Sequence, residues 1–217
     1  MTLIITTLTP RGVVLAADRR TRSTDNKTGK KFVSSEATEK IIIGTDIAVA
    51  HMGGFETSKT SPRDVIEHWV TSTYSIDLPF RDQAAALYEE HFKNGENGGF
   101  VAVCYRAGRA ECCRINTEGE LDYDHLSAPR QFSMKFNGSG NQIAGDLLAM
   151  SNPPLAAFDL PDVVEYSAFL ISATHSIMKY AKKSEPSVGN SVISAVVDYR
   201  GAHLAKGGEY TVDIQKS

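Results

Sequence analysis

Thr2 stands at the second position of the chain, and Asp18, Arg19 and Arg20 close the second apolar run that follows it. Removal of Met1, favoured by the small side chain behind it, would give Thr2 a free amine beside its own hydroxyl. An unperturbed α-amino group titrates near pH ~8, so much of it is neutral at neutral pH and able to take a proton. Threonine paired with its own terminus is an established kind of activated nucleophile. The chemistry open to such a residue is attack on a carbonyl carbon, with neither a metal nor an organic cofactor called for.

The elements needed to position these groups can be read on either side of them. Leu3 to Leu8 is apolar and β-branched and predicts a strand. Thr9-Pro10-Arg11-Gly12 predicts a turn. Val13 to Ala17 is a near-continuous apolar run, as expected of a strand covered on both faces. A hairpin of this length returns one carboxylate and two guanidiniums to the neighbourhood of Thr2. An ordinary hairpin with a solvated charged end would carry the same pattern.

Thr2 together with the run GVVLAADRR, Gly12 to Arg20, resembles the opening of the proteasome β-type subunits, a family that includes the bacterial HslV and ancestral-β (Anbu) types. The spacing from Thr2 to Asp18 and Arg20 matches that family without a gap. The resemblance implies an N-terminal-nucleophile hydrolase with a four-layer αββα sandwich, acting as a threonine endopeptidase on peptides or unfolded polypeptides. It also implies stacked homo-oligomeric rings that enclose the threonines, and a possible ATPase unfoldase as partner. The short lead before Thr2 fits a bacterial form without a long propeptide.

The same resemblance assigns further residues. Thr21 and Arg22, just past the second strand, would lie along the substrate; a solvated basic loop is the other reading of that segment. Lys40, at the head of Lys40-Ile41-Ile42-Ile43, matches the family's strand-leading lysine. Its distance from Thr2 implies an insertion in the loop before it. Lys30 and Lys31 rival it on distance but lack an apolar run behind them. A lysine beside the threonine hydroxyl lowers that hydroxyl's pKa by its charge, and Asp18 would hold the ammonium, with Arg20 helping to orient it. Ala50 to Gly54, AHMGG, resembles the loop whose backbone N–H forms the oxyanion hole. The donor position falls on Ala50, where the family has glycine.

Gly138-Ser139-Gly140, between a strand and a helix, follows the family's order of elements, with Ser139 contributing to the site. A glycine-rich turn with a serine cap is the plain alternative. Ser184 to Asn190, SEPSVGN, stands where the family has an aspartate and a serine that orient the threonine amine. Alignment on Gly189 puts Glu185 and Val188 at those positions, and a shift by one puts Ser184 and Ser187 there. Glu185 and Ser187 are taken as the pair.

The 217 residues are 41% hydrophobic and 23% charged, ordinary for a single globular domain spanning 1–217. A net charge of −3 gives no pull toward nucleic acid or an anionic membrane. No leader pattern and no run near ~18 apolar residues is present, so a cytoplasmic protein is expected. Cys104, Cys112 and Cys113 are too few for a disulfide framework. The vicinal pair lies in an expected strand and would face opposite ways. His51 reads as a polar side chain on an outer face, a pocket residue being the other reading, His175 as a satisfied buried histidine, and His125 has no partner spaced for a metal.

The rest of the chain predicts two hairpins, two helices, a pair of strands, one strand, two helices and closing strands, which is an α+β order. Expected helices start at Ser61-Pro62, at Arg81, at Ile143, and at Val163 with Asp162 as cap. Arg22 to Lys31 is expected as a surface loop, Asp122 to Pro129 as irregular, and Tyr210 to Ile214 as a final strand. Two other functions fit the same residues: a catalytically silent β-like subunit that builds a shell or binds peptides, and a hydrolase of small-molecule amides.

Overall fold

The structure, a computed structural model, describes residues 2–25, 27–52, 61–93, 98–115, 120–126, 131–182 and 186–205. In chain order the strands are β1 (Leu3–Thr9), β2 (Gly12–Asp18), β3 (Thr21–Thr24), β4 (Lys31–Ser35), β5 (Ile41–Ile43), β6 (Ile47–Met52), β7 (Gly99–Arg106), β8 (Arg109–Ile115), β9 (Leu121–His125), β10 (Ser133–Gly138), β11 (Val192–Asp198) and β12 (Gly201–Ala205). The helices are α1 (Pro62–His68), α2 (Phe80–Leu87), α3 (Asn141–Ser151) and α4 (Leu160–Lys182). Helices α1 and α2 each run on into a π turn, Trp69–Thr73 and Tyr88–Phe92.

The strands form two antiparallel five-stranded sheets, ordered β10-β1-β2-β11-β12 and β5-β6-β7-β8-β9, with β3-β4 as a separate hairpin. Period-two alternation sorts their side chains. Ile4, Leu8, Val13 and Leu15 of the first sheet pack with Ala48, Ala50, Val101 and Val103 of the second. The alternate residues of the first sheet, Leu3, Ile5 and Ala16, meet Ala144 of α3 and Leu170 and Ile171 of α4. Those of the second, Val49, Phe100 and Ala102, meet Ile66, Trp69, Phe80 and Leu87. Both faces of β1 and β2 are thus covered, which is why Val13–Ala17 is continuously apolar; each large side chain so buried contributes about 1.5–3 kcal/mol. The vicinal cysteines divide as expected: Cys112 lies between the sheets and Cys113 on the helix side.

The fold is α+β, with three departures from the expected elements. The segment read as a loop at Arg22 to Lys31 belongs to the β3-β4 hairpin, closed by a turn in which Asp25 Oδ1 accepts from Lys27 N at 2.8 Å and Thr28 N at 2.9 Å. The segment read as irregular overlaps β9, whose polar residues pair with β8 in its own sheet and with β10 of the other sheet. Arg114 contacts Asp122, Tyr123 donates its hydroxyl to Glu111 at 2.9 Å, and Lys135 reaches Asp124 at 3.0 Å. Helix α4 begins before Asp162. Asp159 Oδ1 accepts from Asp162 N and Asp162 Oδ2 accepts from Asp159 N, both at 3.0 Å. Pro161 does not interrupt it, because the first residues of a helix have no intrahelical use for their N–H groups. Tyr210 to Ile214 lies outside the described residues. Among the described residues, no helix is long and apolar enough to cross a membrane.

Candidate active site

Pairing of Ile4 with Ala17 brings the end of β2 beside the start of β1. Leu3 N donates to Asp18 Oδ1 at 2.8 Å. The carbonyl of the same Thr2–Leu3 peptide accepts from Ser139 N at 2.8 Å. Both sides of the peptide that carries Thr2 are therefore fixed, one by β2 and one by the turn after β10. That turn needs its glycine: Gly138 has φ +86, and a Cβ there would stand 1.8 Å from the Thr2 carbonyl oxygen.

Asp18 is fully buried and is the hub of the arrangement. Its Oδ2 accepts from Lys40 Nζ at 3.2 Å, Arg20 N at 3.1 Å and Gly189 N at 2.9 Å. With Leu3 N on the other oxygen, four donors occupy an acceptor that has about four lone-pair sites. A carboxylate so employed holds β1, Lys40 and the loop at Gly189 together.

Lys40 sits immediately before β5, 3% exposed. Burial pushes its pKa below the ordinary lysine value, against the charge and hydrogen bond of Asp18 and the charge of Glu36, with Arg20 adding to the depression. Of the three lysines considered from sequence, Lys30 and Lys31 are exposed on the β3-β4 hairpin, and Lys40 is the one in contact with Asp18. The β3-β4 hairpin lies in the chain between Asp18 and Lys40.

Arg20 is also buried. Its Nη1 donates to Pro186 O at 2.6 Å, and its Nη2 meets Glu36 Oε1 at 2.5 Å. The loop after α4 is drawn in by this contact and by the Gly189 amide. His175 ties the same loop to α4 through Nδ1 and Val188 O, 2.8 Å apart, so it is a satisfied histidine as expected.

The remaining expected residues are distributed less tightly. Thr2 is 6% exposed. Ser139 reaches Thr2 through its backbone N–H. Ser187 is buried, with its hydroxyl directed at Met178 Sδ, 4.0 Å away. Ala50 lies inside β6 between Ile41 of β5 and Val101 of β7, its side chain in the core between the sheets. Thr21 and Arg22 open β3; Thr21 Oγ1 donates to Thr38 Oγ1 at 2.7 Å. Glu185 and Ser184, like Gly53 and Gly54, lie outside the described residues.

Two further groups lie near this cluster. Glu36 has no periodic or motif signal; only its partner Arg20 reveals it. His51, expected as an outward polar residue or a pocket residue, is half-buried, and burial pushes its pKa down to about 4, with the charges of Lys40 and Arg63 adding to the effect. Its backbone N–H donates to Lys40 O at 3.3 Å. Its Nδ1 is buried with no hydrogen-bond partner among the described residues. Two clefts lie at the other end of the β1-β2 hairpin, one lined by Thr9, Arg11 and Phe158, the other by Asp46, Arg106 and Asp198. None of the residues discussed for the site lines either cleft. No protein-family model matches this chain, and no curated protein matches it.

Proposed function

We propose that this chain is a threonine-type peptidase of the N-terminal-nucleophile class, with its two sheets and outer helices forming a four-layer αββα sandwich. The observation that carries the reading is the shared carboxylate: Asp18 binds Leu3 N on one oxygen and the Lys40 ammonium on the other. Removal of Met1 frees the Thr2 amine. Thr2 Oγ1 then attacks a peptide carbonyl, and the amine, through a water, takes the hydroxyl proton. The Lys40 charge stabilises the alkoxide that forms. The tetrahedral adduct collapses with proton transfer to the leaving amine, and water hydrolyses the acyl-threonine ester. Asp18 and Arg20 keep Lys40 and the 186–189 loop in place. Strand β3 has β4 on one side only among the described strands, which leaves an edge on which an extended peptide can pair near Thr21 and Arg22. Assembly into homo-oligomeric rings belongs to the same reading; Met150, Phe169 and Tyr180 leave large apolar side chains exposed on α3 and α4.

A second reading, a silent subunit of the same architecture, is favoured by the burial of Thr2 and by the direction of Ser187 toward Met178. The experiment that separates them is intact mass before and after a threonine-directed covalent inhibitor, with hydrolysis of fluorogenic peptides by the wild type and Thr2→Ala. Loss of Met1, one adduct and an inactive Thr2→Ala support the peptidase. Hydrolysis that persists in pure Thr2→Ala excludes this nucleophile. Absence of both adduct and hydrolysis in a chain lacking Met1 supports the silent subunit.

A further inference from the structure

We infer that Glu36 is a positioning residue for this site, clamping Arg20 against the loop that carries Gly189; the inference rests on the peptidase reading above. The Arg20 guanidinium joins three distant parts of the chain. It leaves the end of β2, meets Glu36 Oε1 at 2.5 Å after β4, and donates to Pro186 O at 2.6 Å after α4. Three residues past Pro186, the Gly189 amide completes the shell of Asp18. The contact with Glu36 is charge-assisted and joins the buried Arg20 to a half-exposed carboxylate.

Glu36 also stands at the foot of the β3-β4 hairpin, where the chain turns toward Lys40. Thr38 N donates to Arg19 O at 3.0 Å and Arg19 Nη2 to Ala37 O at 2.8 Å, laying this foot along the end of β2. Among the described residues, the titratable groups around Lys40 are Asp18 and Arg20 from β2 and its end, Glu36 from the hairpin foot, and His51 from β6, which is neutral at neutral pH. The Glu36 charge raises the Lys40 pKa, so without it Lys40 gives up its proton more readily.

The sign of the kinetic effect follows. The charged form of Lys40 assists Thr2, so activity falls where Lys40 deprotonates. Glu36→Gln should move the alkaline limb of the kcat–pH profile to lower pH and reduce kcat about tenfold with KM little changed, since reacting groups tolerate only small misplacement. Glu36→Asp, which keeps the charge, should restore the limb. Glu39→Gln is the control: Glu39 is an exposed neighbour paired with Arg63 at 3.6 Å, and its variant should leave the limb in place.

A readout without turnover decides the matter separately. In a Thr2→Ala background, the 13C-lysine NMR titration of Lys40 should shift to lower pH on adding Glu36→Gln. An unchanged titration overturns the inference, whatever the activity. A shifted titration in a protein whose wild type cleaves no peptide upholds the role of Glu36 and defeats the peptidase reading.

Discussion

The backbone amide of Gly189 donates to Asp18 Oδ2 at 2.9 Å, joining positions 171 residues apart in sequence. The approach is close because residue 189 has no side chain. A Cβ there would lie 2.7 Å from Arg20 Cβ, 3.0 Å from Arg20 N and 3.3 Å from Asp18 Oδ2. Two of those three atoms belong to rigid parts of the chain, so the loop itself must move. Gly189→Ala should destabilise the fold by about 1–3 kcal/mol, the range for overpacking a filled site, as read from urea denaturation. It should also reduce peptide hydrolysis more than the folded fraction alone explains, because the displaced amide leaves Asp18 short of a donor. A variant with wild-type stability and activity would show that the loop can yield without consequence.

The pH dependence of stability has a specific contributor in His51. Its folded pKa is about 4, against an ordinary 6.5, with burial the largest cause. Between those values the unfolded chain binds the proton and the folded chain does not, so stability rises with pH across that window. The contribution is fully present above about pH 6.5 and lost as pH falls through 4. At about 1.4 kcal/mol per unit, the full effect is on the order of 3 kcal/mol at most, since the ring is not wholly sealed from solvent. Urea midpoints for wild type and His51→Gln, measured from pH 7.5 to 4, should converge as the pH falls. Parallel curves would place the imidazole in water.

How far the site could be read in advance differs from element to element. Asp18 and Lys40 were legible because each adjoins a continuously apolar run, and such runs become strands whose ends antiparallel pairing brings to predictable places. The α+β order was legible for the same reason. The β3-β4 hairpin and β9 were not, because neither is a continuous apolar run: Thr21–Thr24 is polar and half-buried throughout, and in β9 the core-facing Leu121 and Tyr123 alternate with Asp122 and Asp124, which Arg114 and Lys135 hold. At the loop after α4, the contacts with Arg20 and Asp18 seen among the described residues are made by Pro186 O and Gly189 N, backbone groups that no motif marks. Ser187, chosen by alignment, turns to Met178 instead.

The three cysteines should be silent in the native protein. All are free and buried. Burial is the first cause that raises each thiol, pushing Cys112 and Cys113 up to about 12 and Cys104 higher still. The reactive species is the thiolate, so at pH 8 almost none is present and none is exposed. Ellman's reagent should label no thiol in native protein over minutes and all three in denaturant. Rapid labelling of one native thiol would mean that the sheet carrying it opens locally at low free energy.

Gly138 gives the most direct test of how Thr2 is held. It pairs with Leu3 at the end of the β1-β10 ladder and has φ +86, a conformation that side chains other than glycine's disfavour. A methyl group there would stand 1.8 Å from the Thr2 carbonyl oxygen, a backbone atom with a hydrogen bond to Ser139 N already in place. Relief requires the turn to peel away from β1, which breaks that bond and frees one side of the Thr2–Leu3 peptide. Strain and clash together should cost roughly 3 kcal/mol. Because β1 remains paired with β2 over Ile4 to Thr9, the sheet should survive the change. The expected outcome for Gly138→Ala is therefore a folded protein of reduced thermal stability, with native-like far-UV circular dichroism, whose Thr2 no longer forms an adduct with a threonine-directed inhibitor. Adduct formation at the wild-type rate would show that the orientation of Thr2 depends on Asp18 and Lys40 alone.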